Sequence, residues 1–304
     1  MMEGFRHRPV LPDEVLHLLN PQKGEVYVDC TLGEAGHAAE VGRRLGPTGT
    51  VIGIDRDPEA LASAGRRLED AFAGEGPRLH LIRANFTALA DVLTRFSVAA
   101  VNRILFDLGV SSRHLDDASR GFTYNETEAP LDMRMDPDQE LTAETIVNEY
   151  SEQALTGIIR RYGEERWASR IALFIVQARD RAPLRTTGQL VKVIEAAIPA
   201  SARRTGPHPA RRTFQSLRVA VNDELDPLER TFRTAVDWLA PTGRIAIISF
   251  HSLEDRIAKH TFRALNQEGK VIILTKRPVE ASQTEIQNNP RSRSAKLRVA
   301  EKAS

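Results

Sequence analysis

Two rhythms alternate along the first third of the chain. Short apolar runs rich in β-branched residues give way to stretches where apolar residues return every three or four positions. Val26, Tyr27 and Val28 form such a run, ending at Asp29. A turn of small residues follows at 33–37, then a helical pattern, then a second run at 50–54 that stops at Asp55. Asp57 before Pro58 predicts an N-cap with proline in the first turn of the next helix. A third run at 79–82 precedes a helix over about 87–96, and Ile104, Leu105 and Phe106 form a fourth run closed by Asp107. A short helix around Val15, Leu16 and Leu19 leads in. Apolar strands separated by helices predict a parallel sheet covered on both faces.

The rhythm breaks after Asp107. Residues 120–135 show no clear period, and 142–224 read as helical. Trp167, Ile171, Phe174, Ile175 and Ala178 share one face, and Thr186 with Gln189 predicts a capping box. A further helix opens at Asp226-Pro227 and stops at Pro241 and Gly243. Residues 244–250 then read as a buried strand, and 270–274 with 297–300 as a closing antiparallel pair. The expected fold class is α/β, a Rossmann-like sheet at 1–115 and 220–304 interrupted by a mostly helical domain at 116–219.

An acid about 20 residues beyond a glycine turn, at the end of the second strand, suits a ribose diol, and ligands of open α/β sheets lie at the carboxyl ends of the strands. Asp55 is therefore the candidate for ribose, and the turn for an adenosine-bearing cofactor. Composition narrows the setting more than the chemistry. With 41% hydrophobic and 27% charged residues, no run approaches the roughly 18 apolar residues of a membrane span. The first residues carry no apolar core for secretion, so a cytoplasmic location is expected. Cys30 is the only cysteine, which excludes internal disulfides, and no metal site is evident. Net charge is only +1, yet Arg203, Arg204, Arg211, Arg212 and Arg218 cluster, as do Arg291, Arg293, Lys296 and Arg298. Clustered arginines can track phosphates on a near-neutral chain.

Four blocks carry a resemblance to a known family: VYVDCTLGEAGH (26–37), ILFDLGVSSRHLDDASRGFTY (104–124) with PLDMRMD (130–136), HPARRTFQSLRVAVNDEL (208–225) and ISFHSLEDRIAK (248–259). With YGEERWASRIA (162–172) and NPRSRSAKLR (289–298), the chain resembles the bacterial MraW/RsmH family over nearly its whole length. Members are S-adenosylmethionine-dependent cytosine-N4 methyltransferases acting on small-subunit ribosomal RNA. The resemblance implies a class I methyltransferase sheet with an inserted helical substrate-binding domain, and a cytidine of the decoding region as target within the small ribosomal subunit.

The resemblance carries the cofactor contacts onto Ala35, Gly36, His37, Asp55, Phe86, Asp107 and His114. Two positions depart from the family pattern. Ala35 stands where a second glycine is common, and its methyl fits a loop whose φ stays below zero. His114 stands where glutamine is usual. Asp107 with Ser111 and Ser112 is the expected amine-holding loop, by position only, because the two prolines common in such loops are replaced by Leu108-Gly109-Val110. His251, Glu254 and Asp255 are expected to shape the substrate side. Met133 and Met135 are expected to give apolar contact to RNA, and Arg120, Arg134, Arg211 and Arg212 to hold phosphate or base. Two other readings compete: a nicotinamide-dependent oxidoreductase, which lacks the full G-x-G-x-x-G spacing, and a non-catalytic RNA-binding or assembly protein. His251 beside Ser252 suggests a hydrolase, but no Gly-x-Ser-x-Gly elbow accompanies it. A homodimer is left open.

Overall fold

The computed structural model describes residues 9–204 and 207–304. It divides into two compact units, one made of the chain up to Gly109 together with Leu225–Ser304, the other of Val110–Glu224. The division falls at 109/110 and 224/225, against expected boundaries at 115/116 and 219/220. At one end Gly109, with φ +95, lies just beyond the last residue of a strand. At the other a helix of the insertion runs on to Asn222 before Asp223 turns left-handed.

The first unit is built on one sheet: β1 (Val26–Asp29), β2 (Thr50–Asp55), β3 (Arg78–Arg83), β4 (Val101–Asp107), β5 (Leu239–Ser249), β6 (Val271–Ile273), β7 (Val279–Glu280) and β8 (Lys296–Lys302). Its order is β3-β2-β1-β4-β5-β8-β6, with β7 also paired to β8. The first five strands are mutually parallel, while β8 is antiparallel to β5, β6 and β7. This order, with one strand reversed among parallel ones, is that of the class I methyltransferase sheet.

Alternation along the strands explains why both faces are buried. Tyr27, Val51, Leu105, Ala246, Ile248, Leu297 and Val299 join one apolar cluster with Val15, Leu19, Ala38 and Leu68. The latter four come from α1 (Pro12–Leu19), α2 (Gly36–Leu45) and α3 (Pro58–Phe72). Val28, Ile52, Ile54, Ile104, Phe106, Ile245 and Ile247 are fully buried at the intervening positions. There Phe106 meets Phe232 edge-on, with centroids 5.1 Å apart. Phe232 belongs to α12 (Leu228–Trp238), which packs on this face with α4 (Leu89–Arg95). α13 (Ser252–Gln267) and the short α14 (Gln283–Asn288) complete the unit.

Local signals act as expected at Asp57, whose carboxylate accepts the Glu59 N–H at the start of α3. The stop at Pro241 and Gly243 is corrected: β5 already begins at Leu239. Val101 pairs with Leu239 but Arg103 with Arg244, so the proline-bearing stretch bulges out of the ladder with Thr242 at φ +61.

The inserted unit contains α5 (Ser112–Asp116), α6 (Ala143–Glu149), α7 (Glu152–Gly163), α8 (Ala168–Arg179), α9 (Thr187–Ala197), α10 (Ala200–Arg203) and α11 (Arg211–Asn222). Its core gathers Ile146, Ile159, Ile171, Ile175, Leu190, Ile194, Phe214 and Leu217 from the facing stripes of α6, α7, α8, α9 and α11. The Thr186–Gln189 capping box opens α9 as its spacing predicts.

Candidate functional site

Carboxylates end three neighbouring strands of the first unit. Asp29, Asp55 and Asp107 are the last residues of β1, β2 and β4. Parallel strands bring their carboxyl ends to one edge, so the topology alone assembles the acids. The turn after β1 is stitched to them. Asp55 Oδ2 accepts the Gly33 N–H at 2.7 Å and Oδ1 the Asp57 N–H at 2.9 Å. Thr31 Oγ1 accepts the Asp107 N–H at 2.6 Å, and Asp29 Oδ1 the Thr31 N–H at 3.2 Å. The side chain of Asp55 thus holds the turn, one carboxylate oxygen on each of two backbone N–H groups.

Ala35 corrects an expectation. Its φ is +58 and ψ +30, a left-handed conformation, at the N-cap of α2. Such a backbone costs an alanine about 1–2 kcal/mol. Its methyl is fully buried in the apolar cluster, which returns about 0.8 kcal/mol. Gly36 is required by close approach: an added Cβ would stand 3.1 Å from Pro9 Cβ. Gly33, at φ +52, has open space beside it, where an added Cβ would meet only the Thr31 carbonyl oxygen, 4.0 Å away.

Burial governs the protonation of this edge. Asp29 is pushed up to about 7 because it is cut off from water. Tyr27 and the Thr31 N–H pull the other way, and Asp55 adds to the rise. Asp107 is raised well above the ordinary carboxylate range, first by burial, then by Asp29 and Glu254. His37 Nε2 lies 3.7 Å from Asp107 Oδ2, while Asp107 Oδ1 is buried with no hydrogen-bond partner among the described residues. Glu254, in the first turn of α13, is buried too. Its Oε2 accepts the Phe250 and His251 N–H groups, and its Oε1 lies 3.2 Å from His251 Nε2. Asp255 faces elsewhere. It takes Arg298 Nε at 2.6 Å and Nη2 at 3.2 Å, fastening α13 to β8, so neither Asp255 nor Arg298 is free for substrate. Phe86 is buried, edge-on to Phe106 at 6.2 Å, with the Arg56 guanidinium 5.6 Å over its ring.

In the inserted unit, several expected RNA contacts turn out to be internal supports. Met133 is fully buried and Met135 nearly so, both within the core, so neither offers an apolar surface. Arg120 donates to the Arg134 and Met135 carbonyls. Arg134 grips Asp132 with two nitrogens and the Pro137 and Gln139 carbonyls with a third. The PLDMRMD segment is therefore a braced loop rather than a set of free hands. Arg218 pairs with Glu224 through two bonds of 2.8 and 2.7 Å. Arg212 donates to the Glu164 carbonyl, and Arg211 is exposed. Ser111 caps α5 by accepting the His114 N–H, and His114 Nδ1 accepts the Ser111 N–H in return. The His114 ring stacks on Phe122 at 4.8 Å. The Ser112 side chain lies outside what the structure describes.

This arrangement can be set beside known proteins. The MraW methylase family model matches residues 4–303. The chain belongs to the MraW methylase family. It is 50% identical to Ribosomal RNA small subunit methyltransferase H of Halothermothrix orenii, over 98% of this chain and 99% of that relative. It is 51% identical to the protein of the same name from Symbiobacterium thermophilum, over 98% and 97%. With Geotalea daltonii the identity is 49%, over 99% of this chain and the whole relative.

Two residues of this MraW methylase chain escaped sequence reasoning. Tyr27 looks like ordinary strand core, yet its hydroxyl donates to Asp29. Thr31 looks like a turn residue, yet it anchors the end of β4. The available signal was parity: Tyr27 and Asp29 are two apart in a strand and so share a face.

Proposed function

We propose that this chain transfers a methyl group from S-adenosylmethionine to the exocyclic N4 of a cytidine in the decoding region of small-subunit ribosomal RNA. The observation that carries the reading is the acid-lined edge around the small-residue turn, in a chain of the methylase family. The cofactor fits this chemistry on two counts. Asp107 Oδ1 is a buried acceptor still open to a donor or a positive charge, and Gly33 leaves room beside the turn. Its contacts are proposed to be Ala35, Gly36 and His37 in the turn, Asp55 for the ribose hydroxyls, Phe86 near the adenine, and Asp107 and His114.

When bound, S-adenosylmethionine supplies an electrophilic methyl on a positively charged sulfur. The residues must hold a poor nucleophile in line, because the cytosine amine shares its lone pair with the ring, and positioning does most of the work. Asp107 is proposed to accept a hydrogen of that amine. Burial, Asp29 and Glu254 all favour its protonated form, and a cation held beside it would favour the carboxylate that accepts. Ser111, at the N-cap of α5, and Ser112 complete the proposed amine-holding loop, and His251 is proposed to bound the substrate side. The inserted unit is proposed to hold the RNA around a cytidine splayed from its stack, with Arg211 and Arg212 on phosphates. A nicotinamide oxidoreductase is not favoured, because a methylase family covers the chain.

Labelled S-adenosylmethionine and small ribosomal subunits lacking the modification test the reading, alongside their naked RNA. N4-methylcytidine in the nucleoside digest is the expected product. Intact cofactor binding with no label in either substrate would refute the substrate assignment and spare the fold.

A further inference from the structure

Three aromatic rings of the inserted unit grade from core to solvent, outside every role assigned above. Phe214 of α11 is buried, Tyr124 is half-buried and His208 is exposed. Phe214 meets Tyr124 edge-on at 5.6 Å, and Tyr124 lies nearly parallel to His208, with centroids 4.6 Å apart and planes 13° from coplanar. His208 Nδ1 accepts the Ala210 N–H at 3.2 Å, which fixes the ring's orientation and leaves the proton of the neutral imidazole on Nε2. Among the described residues no further ring packs on His208. A flat ring is thus held at the surface before any partner arrives.

Its neighbours along the chain are cationic, and the Arg211 N–H donates to the His208 carbonyl at 3.0 Å. Arg203, Arg204 and Arg211 are exposed, and their side chains make no ion pair or hydrogen bond among the described residues. The first turn of α11 holds Arg211 and Arg212 and no acid, although cations are disfavoured at the positive end of a helix. A polyanionic partner offsets that cost. A bare cationic patch suits any acidic surface, whereas a pre-set ring among unpaired arginines suits a base attached to phosphates.

We propose that His208, backed by Tyr124, is a stacking platform for one unpaired base of an RNA strand whose phosphates lie on Arg211 and its neighbours. The proposal rests on the RNA reading above and names a residue that reading did not use.

The test titrates the full chain with a fluorescent single-stranded RNA about 12 nucleotides long, within the usual span of single-strand sites. A duplex RNA of the same sequence and a polyglutamate competitor serve as comparisons. His208→Ala is expected to weaken single-strand binding about tenfold and His208→Phe to restore it to within about twofold, as base–aromatic stacking dictates. Calorimetric binding of S-adenosylmethionine is expected to be unchanged in both variants. In the unaltered protein, 5-iodouridine RNA is expected to crosslink at His208 or Tyr124, a readout independent of any variant's folding. Crosslinks only elsewhere, a His208→Ala variant that binds like wild type, or a His208→Phe variant as weak as His208→Ala would each overturn the platform. Polyglutamate competing as well as RNA would overturn it in favour of an acidic protein partner. Methylation of unmodified small-subunit RNA by wild type and by His208→Ala checks the underlying reading separately: transfer with no dependence on His208 removes the platform alone, and a His208-dependent complex without transfer removes the reading alone.

Discussion

Tyr27 donates its phenolic hydrogen to Asp29 Oδ2 across 2.8 Å, and neither residue is more than 2% exposed. The pair sits at the end of β1, directly beneath the turn that the functional reading depends on. The hydroxyl stabilises the ionised carboxylate, while burial opposes it and prevails.

That balance makes stability depend on pH. Asp29 titrates near 7 in the folded chain against 3.8 for the free side chain, so the folded form keeps a proton that the unfolded chain has lost. Its contribution turns against folding as pH rises between these values, by on the order of a few kcal/mol in full. Asp29→Asn is expected to flatten the decline in urea midpoint between pH 5 and 8. Parallel declines in wild type and variant would refute this.

Tyr27→Phe removes the one side-chain donor to Asp29 among the described residues, a bond that favours the charged form. The loss is expected to be about 1–3 kcal/mol and larger at pH 8 than at pH 5, because only the carboxylate needs the bond. Urea melts at the two pH values read the difference directly.

Asp107→Asn keeps the shape of the proposed amine holder and removes its charge. Methyl transfer to unmodified small subunits is expected to fall about 100-fold, the usual scale for a lost proton acceptor. An unchanged turnover number with weakened cofactor binding would restrict Asp107 to the cofactor.

The two glycines of the turn are expected to fail for different reasons. Gly36→Ala drives a methyl to within 3.1 Å of Pro9, so the segment before α1 must shift. Gly33→Ala meets no atom closer than 4.0 Å but must hold φ +52, at a cost of about 1–2 kcal/mol. Thermal melts should show both losses. A second substitution, Pro9→Gly, which removes the Cβ that the new methyl meets, should rescue only the Gly36 variant.

Three arginines of one motif are expected to part company. Arg218→Ala leaves the buried Glu224 carboxylate unpaired and should destabilise the chain by about 2–4 kcal/mol. Arg211→Ala should leave stability unchanged and lower the salt slope of RNA binding by about one. Arg212→Ala should do a little of each, since one of its nitrogens holds the Glu164 carbonyl. Urea melts and salt titrations together separate the three.

The strands, their order of occurrence and the interruption after β4 were legible because burial on both faces writes unbroken apolar runs into the chain. Asp55 and Asp107 could be found at strand ends for the same reason. The fates of Met133, Arg120 and Arg134 were not legible. A methionine reads the same whether it faces RNA or a core, and an arginine's partners here are carbonyls 14 and 15 residues away, or across a braced loop, which no periodicity records. The left-handed Ala35 was hidden too, because sequence reports side-chain size and not the backbone angle that tertiary packing imposes. β7 was missed because two residues are too few to carry an alternation.

β4 pairs with β1 on one side and with β5 on the other, and the whole inserted unit lies between β4 and β5 in the sequence. During synthesis, β4 therefore exposes an unsatisfied apolar edge from the time it emerges until β5 follows. At about 5–20 residues per second that wait lasts on the order of ten seconds. Open edges of this kind invite pairing with other chains. For the nascent protein, prompt collapse of the inserted unit is then a matter of timing: it brings the ends of a long detour together before a neighbouring chain can occupy the vacancy beside Phe106.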